Sequence, residues 1–348
     1  MKIGITKLIP ENIAPKGAVS VKLYNSNGTE VLDIPLGRLE QPNKKKLYSF
    51  GLVSDIHLWE YDTASYANSN SKFDQALSYF EDKENEGHKC DFCIVCGDLT
   101  VTGFYLRTNE NVAGTEVLNE KQFLAYKTIC ESHTIPVYEL MGNHESYYNM
   151  PVTDNLDKMA TYTGNSVLSY TIEQGNDLYI FLGQPSGNVV MSDDDYDWFK
   201  NLLANNQDKR CFVFVHSYIE EDSGDAKDLR ENSIFDDAYW GATNRNKFMN
   251  LLKKYPNVIL FHGHSHMKFE HQELDKNANY TEINGFKSVH IPSLAKPRDI
   301  DVVASKTPED YTASQGYIVD VYDDCIVLNG IDFINDSPVA LGVYKINT

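Results

Sequence analysis

The chain has 348 residues, 42% hydrophobic and 23% charged, a globular composition that excludes a disordered chain and supplies apolar mass for a sizeable core plus an appendage. Fifty acidic against 31 basic residues leave a formal charge of −19, a field that repels polyanions and argues against duplex nucleic-acid binding. No apolar run approaches the roughly 20 residues of a bilayer span, and MKIGITKLIPENIAPKG lacks the h-region of a secretory signal, so a cytoplasmic protein without membrane attachment is expected.

In chain order, residues 1–45 read as a small β appendage. AVSVKLYNSNGTEVLDIPLGRL makes two alternating strands around Ser26-Asn27-Gly28, and a polar linker runs from Gln41 to Leu47. Residues 46–348 then read as one α/β domain. LYSFGLVSD, DFCIVCGD, PVYELMGN, CFVFVHS and NVILFHGH are short apolar runs of buried-strand type, each finishing in polar or glycine-containing sequence. Between them, SKFDQALSYFEDKENEG, NEKQFLAYKTICESH, DDDYDWFKNLLANNQ and TNRNKFMNLLKKYP carry apolar residues at helical spacing. Asp193-Asp194-Asp195 suits a helix N-terminus, where negative charge is favoured. GYIVDVYDDCIVLNGIDF reads as a hairpin that completes a sheet near the C-terminus.

Six cysteines include CDFCIVC, whose spacing superficially suggests zinc. If the segment is one strand, Cys90 and Cys93 point to opposite faces and cannot close on one ion. Core thiols in a reducing compartment are the expectation.

Five short motifs end the apolar runs: Asp55-Ile-His57, Gly97-Asp98, Gly142-Asn143-His144-Glu145, His216, and Gly263-His264-Ser265-His266. Chemistry in open α/β sheets gathers at the carboxyl ends of strands, where loops converge on a rigid base. Singly, each motif is a turn or a loop. Together they supply carboxylates, one amide oxygen and several imidazoles, a ligand set for divalent transition metals. The acidic surplus strengthens that expectation, because bound cations would reverse the local field for a phosphorylated substrate.

The ordered set D-x-H, GD, GNHE, H and GHSH resembles the calcineurin-like metallophosphoesterase superfamily over roughly residues 48–335, and SDIHL and GDLTVTG resemble its class III cyclic-nucleotide phosphodiesterase branch. The resemblance implies a sandwich of two mixed β-sheets flanked by helices, and two divalent or trivalent metal ions, with manganese, iron and zinc all suited to mixed nitrogen and oxygen ligands. Carried over, the pattern makes Asp55, His57 and His266 ligands of one metal, Asn143, His216 and His264 ligands of the other, and Asp98 the bridge. His264 and His266 are two apart, so alternation aims both rings into the cleft while His262 turns away. The implied reaction is hydrolysis of a small phosphate ester by in-line attack of a metal-bridging hydroxide, with His144 as general acid.

Departures from other branches narrow this reading. Protein serine/threonine phosphatases continue GD with V-D-R-G, whereas GDLTVTG stands here; purple acid phosphatases place a tyrosine ligand where this chain has Val101; cyclic-nucleotide members commonly read GNHD where Glu145 stands. Without an arginine in the GD or GNHE motifs to bind a monophosphate, a phosphodiester is slightly preferred. Glu145 suits a loop-orienting role as well as a substrate contact. Trp59, Tyr147, Tyr148 and Trp240 could line the pocket or simply pack, and Arg107, Arg245 and Arg298 read as solvated surface residues before phosphate ligands. His88, His133, His271 and His290 read as structural or exposed. No G-x-S-x-G elbow supports a serine hydrolase. The alternative is a binding or structural module that retains the metal site, since LIPENIAPKG with IPLGRL loosely resembles leaders of bacterial or phage phosphoesterase-like proteins. Against it, His144 is a non-ligand that a structural metal site would not need.

Overall fold

Alternation along five central strands decides how the two sheets meet. In the computed structural model, which describes residues 20–24, 30–35, 45–59, 68–82, 89–101, 115–145, 152–186, 190–219, 242–273, 278–282, 285–299 and 308–348, β3 (Tyr48–Val53) sends Phe50 and Leu52 to one side and Val53 to the other. β4 (Phe92–Val95) does the same with Phe92 and Ile94 against Cys93 and Val95. Across the interface, β7 (Asp177–Leu182), β8 (Arg210–Val215) and β9 (Val258–His262) contribute Tyr179, Phe181, Phe212, Phe214, Ile259 and Phe261 to the same inner core. Both faces of each strand are covered, which is why these segments read as unbroken apolar runs.

The first sheet has seven strands in the order β14 (Ser337–Pro338), β13 (Cys325–Asp332), β12 (Gln315–Val321), β3, β4 and β5 (Val137–Glu139), with β15 (Tyr344–Asn347) also paired to β13. β3, β4 and β5 are parallel, and β12 and β13 form the antiparallel hairpin expected from GYIVDVYDDCIVLNGIDF. The second sheet has six strands in the order β10 (Tyr280–Thr281), β11 (Lys287–His290), β9, β8, β7 and β6 (Ser169–Gln174), parallel from β11 to β7 and antiparallel at both edges. The architecture is the α/β sandwich of two mixed sheets.

Helices cover the outer faces. α1 (Ser69–Phe80), α2 (Thr115–Ser132) and α3 (Val152–Tyr162) bring Phe73, Leu77, Phe123, Tyr126 and Met159 against Val53, Cys93 and Val95. α4 (Asp193–Asn205) and α5 (Ala242–Leu252) bring Phe199, Leu203, Phe248 and Leu252 against Leu178, Ile180 and Val213. Ser192 caps α4 by accepting from the Asp195 amide at 3.1 Å, and the aspartate triplet fills the first turn as its charge predicts.

The β6–β7 hairpin and α3 are among the elements that escape the pattern reading. The hairpin turns at Gly175, whose φ of 62° is open to glycine, and β6 is half-buried, with Tyr170 and Ile172 on the inner core and Thr171 and Glu173 exposed. α3 is an eleven-residue helix whose buried contribution rests on Met159 and, in part, Leu156 and Tyr162. The cysteine argument also needs correction: Cys90 precedes β4, so strand alternation does not reach it, and Cys90 and Cys93 pack in the same helix-side cluster while Cys96 enters the inner core. All six cysteines are free, and burial pushes the thiols of Cys90, Cys93 and Cys96 up, away from thiolate.

At the N-terminus, β1 (Ser20–Tyr24) and β2 (Glu30–Pro35) pair antiparallel as a separate two-stranded sheet; the Ser26-Asn27-Gly28 turn lies outside the described residues.

Candidate metal centre

The parallel strands of both sheets deliver their carboxyl ends to one place. Asp55 and His57 follow β3, Asp98 follows β4, Asn143 follows β5, His216 follows β8, and His264 and His266 follow β9. Asp55, His57, Asp98, Asn143 and His216 are fully buried, with His264 and His266 at 8% and 6% exposure.

The backbone at these strand ends is unusual. Asp55, His57, Asp98, His264 and His266 have φ of 53°, 41°, 52°, 69° and 61°, the left-handed region that costs a non-glycine residue on the order of 1 to 3 kcal/mol. Only Asn68 and Asp336 share that conformation among the other described non-glycine residues, so the strain is concentrated at the site. The expected mechanism for aiming His264 and His266, strand alternation, is therefore corrected: both lie beyond β9, and each is turned inward by a left-handed residue. His262, the last residue of β9, stays outside the donor cluster, with its ring 5.7 Å from that of His290.

Two glycines permit the approach of the loops. A Cβ on Gly142 would meet Asp98 Oδ1 at 2.2 Å, and one on Gly263 would meet Ser54 Oγ at 2.0 Å and Asp55 Oδ2 at 2.7 Å. Their role in GNHE and GHSH is to let backbone lie against a carboxylate.

Asp55 Oδ2 accepts from the Ser54 hydroxyl at 2.7 Å and from the His264 amide at 3.0 Å, leaving Oδ1 facing His266 Nε2 at 2.9 Å and His216 Nε2 at 3.7 Å. Asp98 Oδ1 accepts from the His144 amide at 2.9 Å; its Oδ2 lies 3.1 Å from His216 Nε2, 3.7 Å from His144 Nε2 and 3.9 Å from His57 Nε2. His57 Nε2 and His266 Nε2 stand 3.1 Å apart. His216 Nδ1 is 2.8 Å from the Cys96 carbonyl, which can only accept, so Nδ1 carries a proton and Nε2 is the nitrogen turned on the carboxylates.

These donors form two groups: Asp55, His57, Asp98 and His266, and Asp98, His216 and His264, with the ligand-type atoms of each group within 4.8 Å of one another. Asp98 belongs to both, and one carboxylate can offer an oxygen to each of two cations. Asn143 is fully buried with both amide atoms lacking a hydrogen-bond partner, an arrangement that costs a few kcal/mol unless the oxygen meets a ligand. The donor set fits two metal ions.

Electrostatics point the same way. Burial holds His57, His266 and His264 below the ordinary histidine range, His264 at about 4, so their nitrogens are lone-pair donors. Burial also opposes charge on His216, but Asp98 and Asp55 outweigh it and push its pKa up to about 10. In return His216 and His144 overcome the burial of Asp98 and hold its carboxyl well below the usual range. The paired carboxylates demand positive charge between them: a proton on His216, or cations that displace it.

The remaining residues sort by contact. His144 is 12% exposed, the one imidazole of GNHE, with its ring 4.6 Å from that of His57. Glu145 accepts from the Thr100 and Gly142 amides, both at 2.9 Å, and so orients the GNHE loop against the GDLT loop. Trp59 is buried with its amide on Asn70, and His133 bridges Glu81 and Asp74. Arg298 is not a solvated surface residue: its side chain is 12% exposed and paired with Glu309. Tyr147, Tyr148, Trp240, Arg107 and His88 lie outside the described residues. Sequence reasoning missed Ser54, whose only signal is its place before Asp55 in SDIH, and Ser293, whose hydroxyl holds the Asp55 carbonyl at 3.0 Å.

The calcineurin-like phosphoesterase family profile matches residues 48–268, more than half of the chain and all of the donor loops. The chain belongs to that family. The two donor groups joined through Asp98 offer adjoining places for two metal ions. The fold is similar to that of a purple acid phosphatase from yellow lupin (Lupinus luteus) seeds, at TM-score 0.55 and 14% identity, covering 94% of this chain. This chain spans 59% of that protein's length. Smaller likenesses include Vacuolar Protein Sorting 29 from Cryptosporidium parvum, at TM-score 0.37 and 13% identity over 87% of this chain and 99% of that one. No curated protein matches the sequence significantly. No helix among the described residues is long and apolar enough to cross a membrane.

Proposed function

We propose that the protein hydrolyses a small phosphate ester, a phosphodiester in preference to a monoester, with His144 as the general acid. The observation that carries this reading is His144 itself: it touches Asp98 through its amide and its ring, yet belongs to neither donor group and keeps a partly exposed edge. Asp55, His57, Asp98 and His266 would hold one metal ion, and Asp98, Asn143, His216 and His264 the second, drawn from manganese, iron or zinc. When bound, such ions polarise the phosphoryl group and lower the pKa of water toward 7.

The chain's own residues do the rest. The left-handed turns fix the donors before substrate arrives, so little reorganisation accompanies the reaction. A water oxygen bonds to phosphorus opposite the leaving oxygen as the P–O ester bond breaks; the water gives up a proton to solvent, and the His144 imidazolium gives its proton to the departing oxygen. Burial lowers the His144 pKa, and the Asp98 carboxylate works against that effect to keep a proton within reach. The diester preference is supported by the absence of arginine from the GD and GNHE motifs.

The acidic surface suits a small substrate and not a nucleic-acid duplex, six buried or half-buried thiols suit a reducing cytoplasm, and the paired strands β1 and β2 suit a small N-terminal β unit. The test is hydrolysis of bis-p-nitrophenyl phosphate and p-nitrophenyl phosphate by protein reconstituted with manganese, iron or zinc. Metal-dependent turnover with the diester ahead supports the reading; two ions bound per chain and no turnover of either ester would favour the binding-module alternative.

A further inference from the structure

No motif marks residues 293–298, yet this segment ties together the two loops that carry Asp55 and His266. The Ser293 hydroxyl donates to the Asp55 carbonyl at 3.0 Å, the Leu294 amide to the Ser54 carbonyl at 2.9 Å, and the Ala295 amide to the Asp55 carbonyl at 3.3 Å. Further along, the Arg298 amide donates to the His266 carbonyl at 2.7 Å, and the Lys268 amide returns to the Arg298 carbonyl at 3.0 Å. Between these attachments stands Lys296, whose amide donates to Ser293 Oγ at 3.1 Å. It is thus one residue from a group bonded to Asp55 and two from a group bonded to His266, donors of the same metal position.

Lys296 is 8% exposed. Its ammonium lies 3.1 Å from Glu309 Oε1, the oxygen that also meets Arg298 at 3.2 Å, while Glu309 also accepts from the Tyr311 hydroxyl. Two cations thus share one carboxylate on a segment that is bonded to the Asp55 and His266 loops. An ammonium is costly to bury, and an apolar residue of similar volume would pack as well or better. A cation beside a phosphoester site has a use for which packing offers no substitute, namely binding an anionic oxygen.

Resting on the phosphoesterase reading above, we infer that Lys296 binds a non-bridging phosphoryl oxygen of substrate and of product, with Glu309 and Arg298 fixing the ammonium in place. The subsite takes a phosphoryl group irrespective of the alcohol attached, so it adds affinity to ester and to free phosphate alike.

The test uses full-length, metal-reconstituted protein and inorganic phosphate as probe, with calorimetric Kd, KM and kcat on bis-p-nitrophenyl phosphate, and metal content by atomic emission. Loss of one charge-assisted contact should raise the phosphate Kd and the KM roughly tenfold to a hundredfold in Lys296→Met. kcat should change less, two ions should remain per chain, and Lys296→Arg should recover much of the loss. Lys296→Gln, with a polar stem and no charge, serves if the methionine variant folds poorly and should show the same rise. Wild-type turnover together with an unchanged phosphate Kd in the uncharged variants would assign Lys296 a purely structural role and overturn the inference alone. Wild-type protein that binds metal but neither phosphate nor ester would overturn the phosphoesterase reading and the subsite with it.

Discussion

At the scale of single residues, the site separates groups that hold charge from a group that moves a proton. Asp98 faces three imidazoles and belongs to both donor groups, so Asp98→Asn removes the one negative charge common to two cations. Metal content in that variant should fall below two ions per chain and turnover should be lost, as atomic emission and the p-nitrophenyl ester assay would read. His144 is in neither group; His144→Ala should keep both ions while kcat drops by roughly 10² to 10⁴, the usual worth of a positioned acid. A His144→Ala protein that loses metal instead would make His144 a ligand. The ligand-type residues were legible in the sequence because each sits in a short motif behind an apolar run. Lys296 was not, since a cation placed by backbone hydrogen bonds to distant loops leaves no spacing signal.

At the scale of elements, the strands could be read and their ends could not. Burial on both faces makes β3, β4, β8 and β9 continuous apolar runs, a pattern visible without coordinates, whereas the half-buried β6 shows only a short alternation of Tyr170 and Ile172 with polar residues. The left-handed turns at Asp55, His57, Asp98, His264 and His266 leave no position-specific signature, because aspartate and histidine only favour that region over most other residues and tertiary contacts decide which of them enter it. The motif glycines show what the constraint is. Gly142 lets its loop lie against Asp98, where a methyl group would stand 2.2 Å from Oδ1 and 2.9 Å from the His216 ring. Gly142→Ala should therefore displace Asp98 or His216, lowering metal content and turnover together, while far-UV circular dichroism stays native because no strand is touched. Full metal occupancy in the alanine variant would mean that the two loops have room to part.

At the scale of the whole molecule, the two sheets are joined by polar contacts as well as by the aromatic core, and one of them titrates. Glu139 ends β5 in the seven-stranded sheet; its carbonyl accepts from Tyr170 of β6 in the other sheet at 2.7 Å, and its carboxyl accepts from Tyr126 of α2 at 3.1 Å. At 4% exposure, burial raises its pKa from 4.5 to about 7. Below pH 4.5 the carboxyl is protonated in both folded and unfolded chains and the contact is fully stabilising. Between pH 4.5 and 7 the unfolded chain releases the proton while the native chain keeps it, so stability falls as pH rises, by on the order of 3 kcal/mol, and is flat above. Glu139→Gln keeps an oxygen for the Tyr126 hydroxyl and removes the titration. Denaturant unfolding at pH 5 and pH 8 should then show the variant gaining on wild type at the higher pH. Metal binding and other ionisations enter both proteins equally and cancel in that double difference. A double difference of zero would mean that Glu139 is ionised in the native sandwich, with its charge held by the hydroxyls around it.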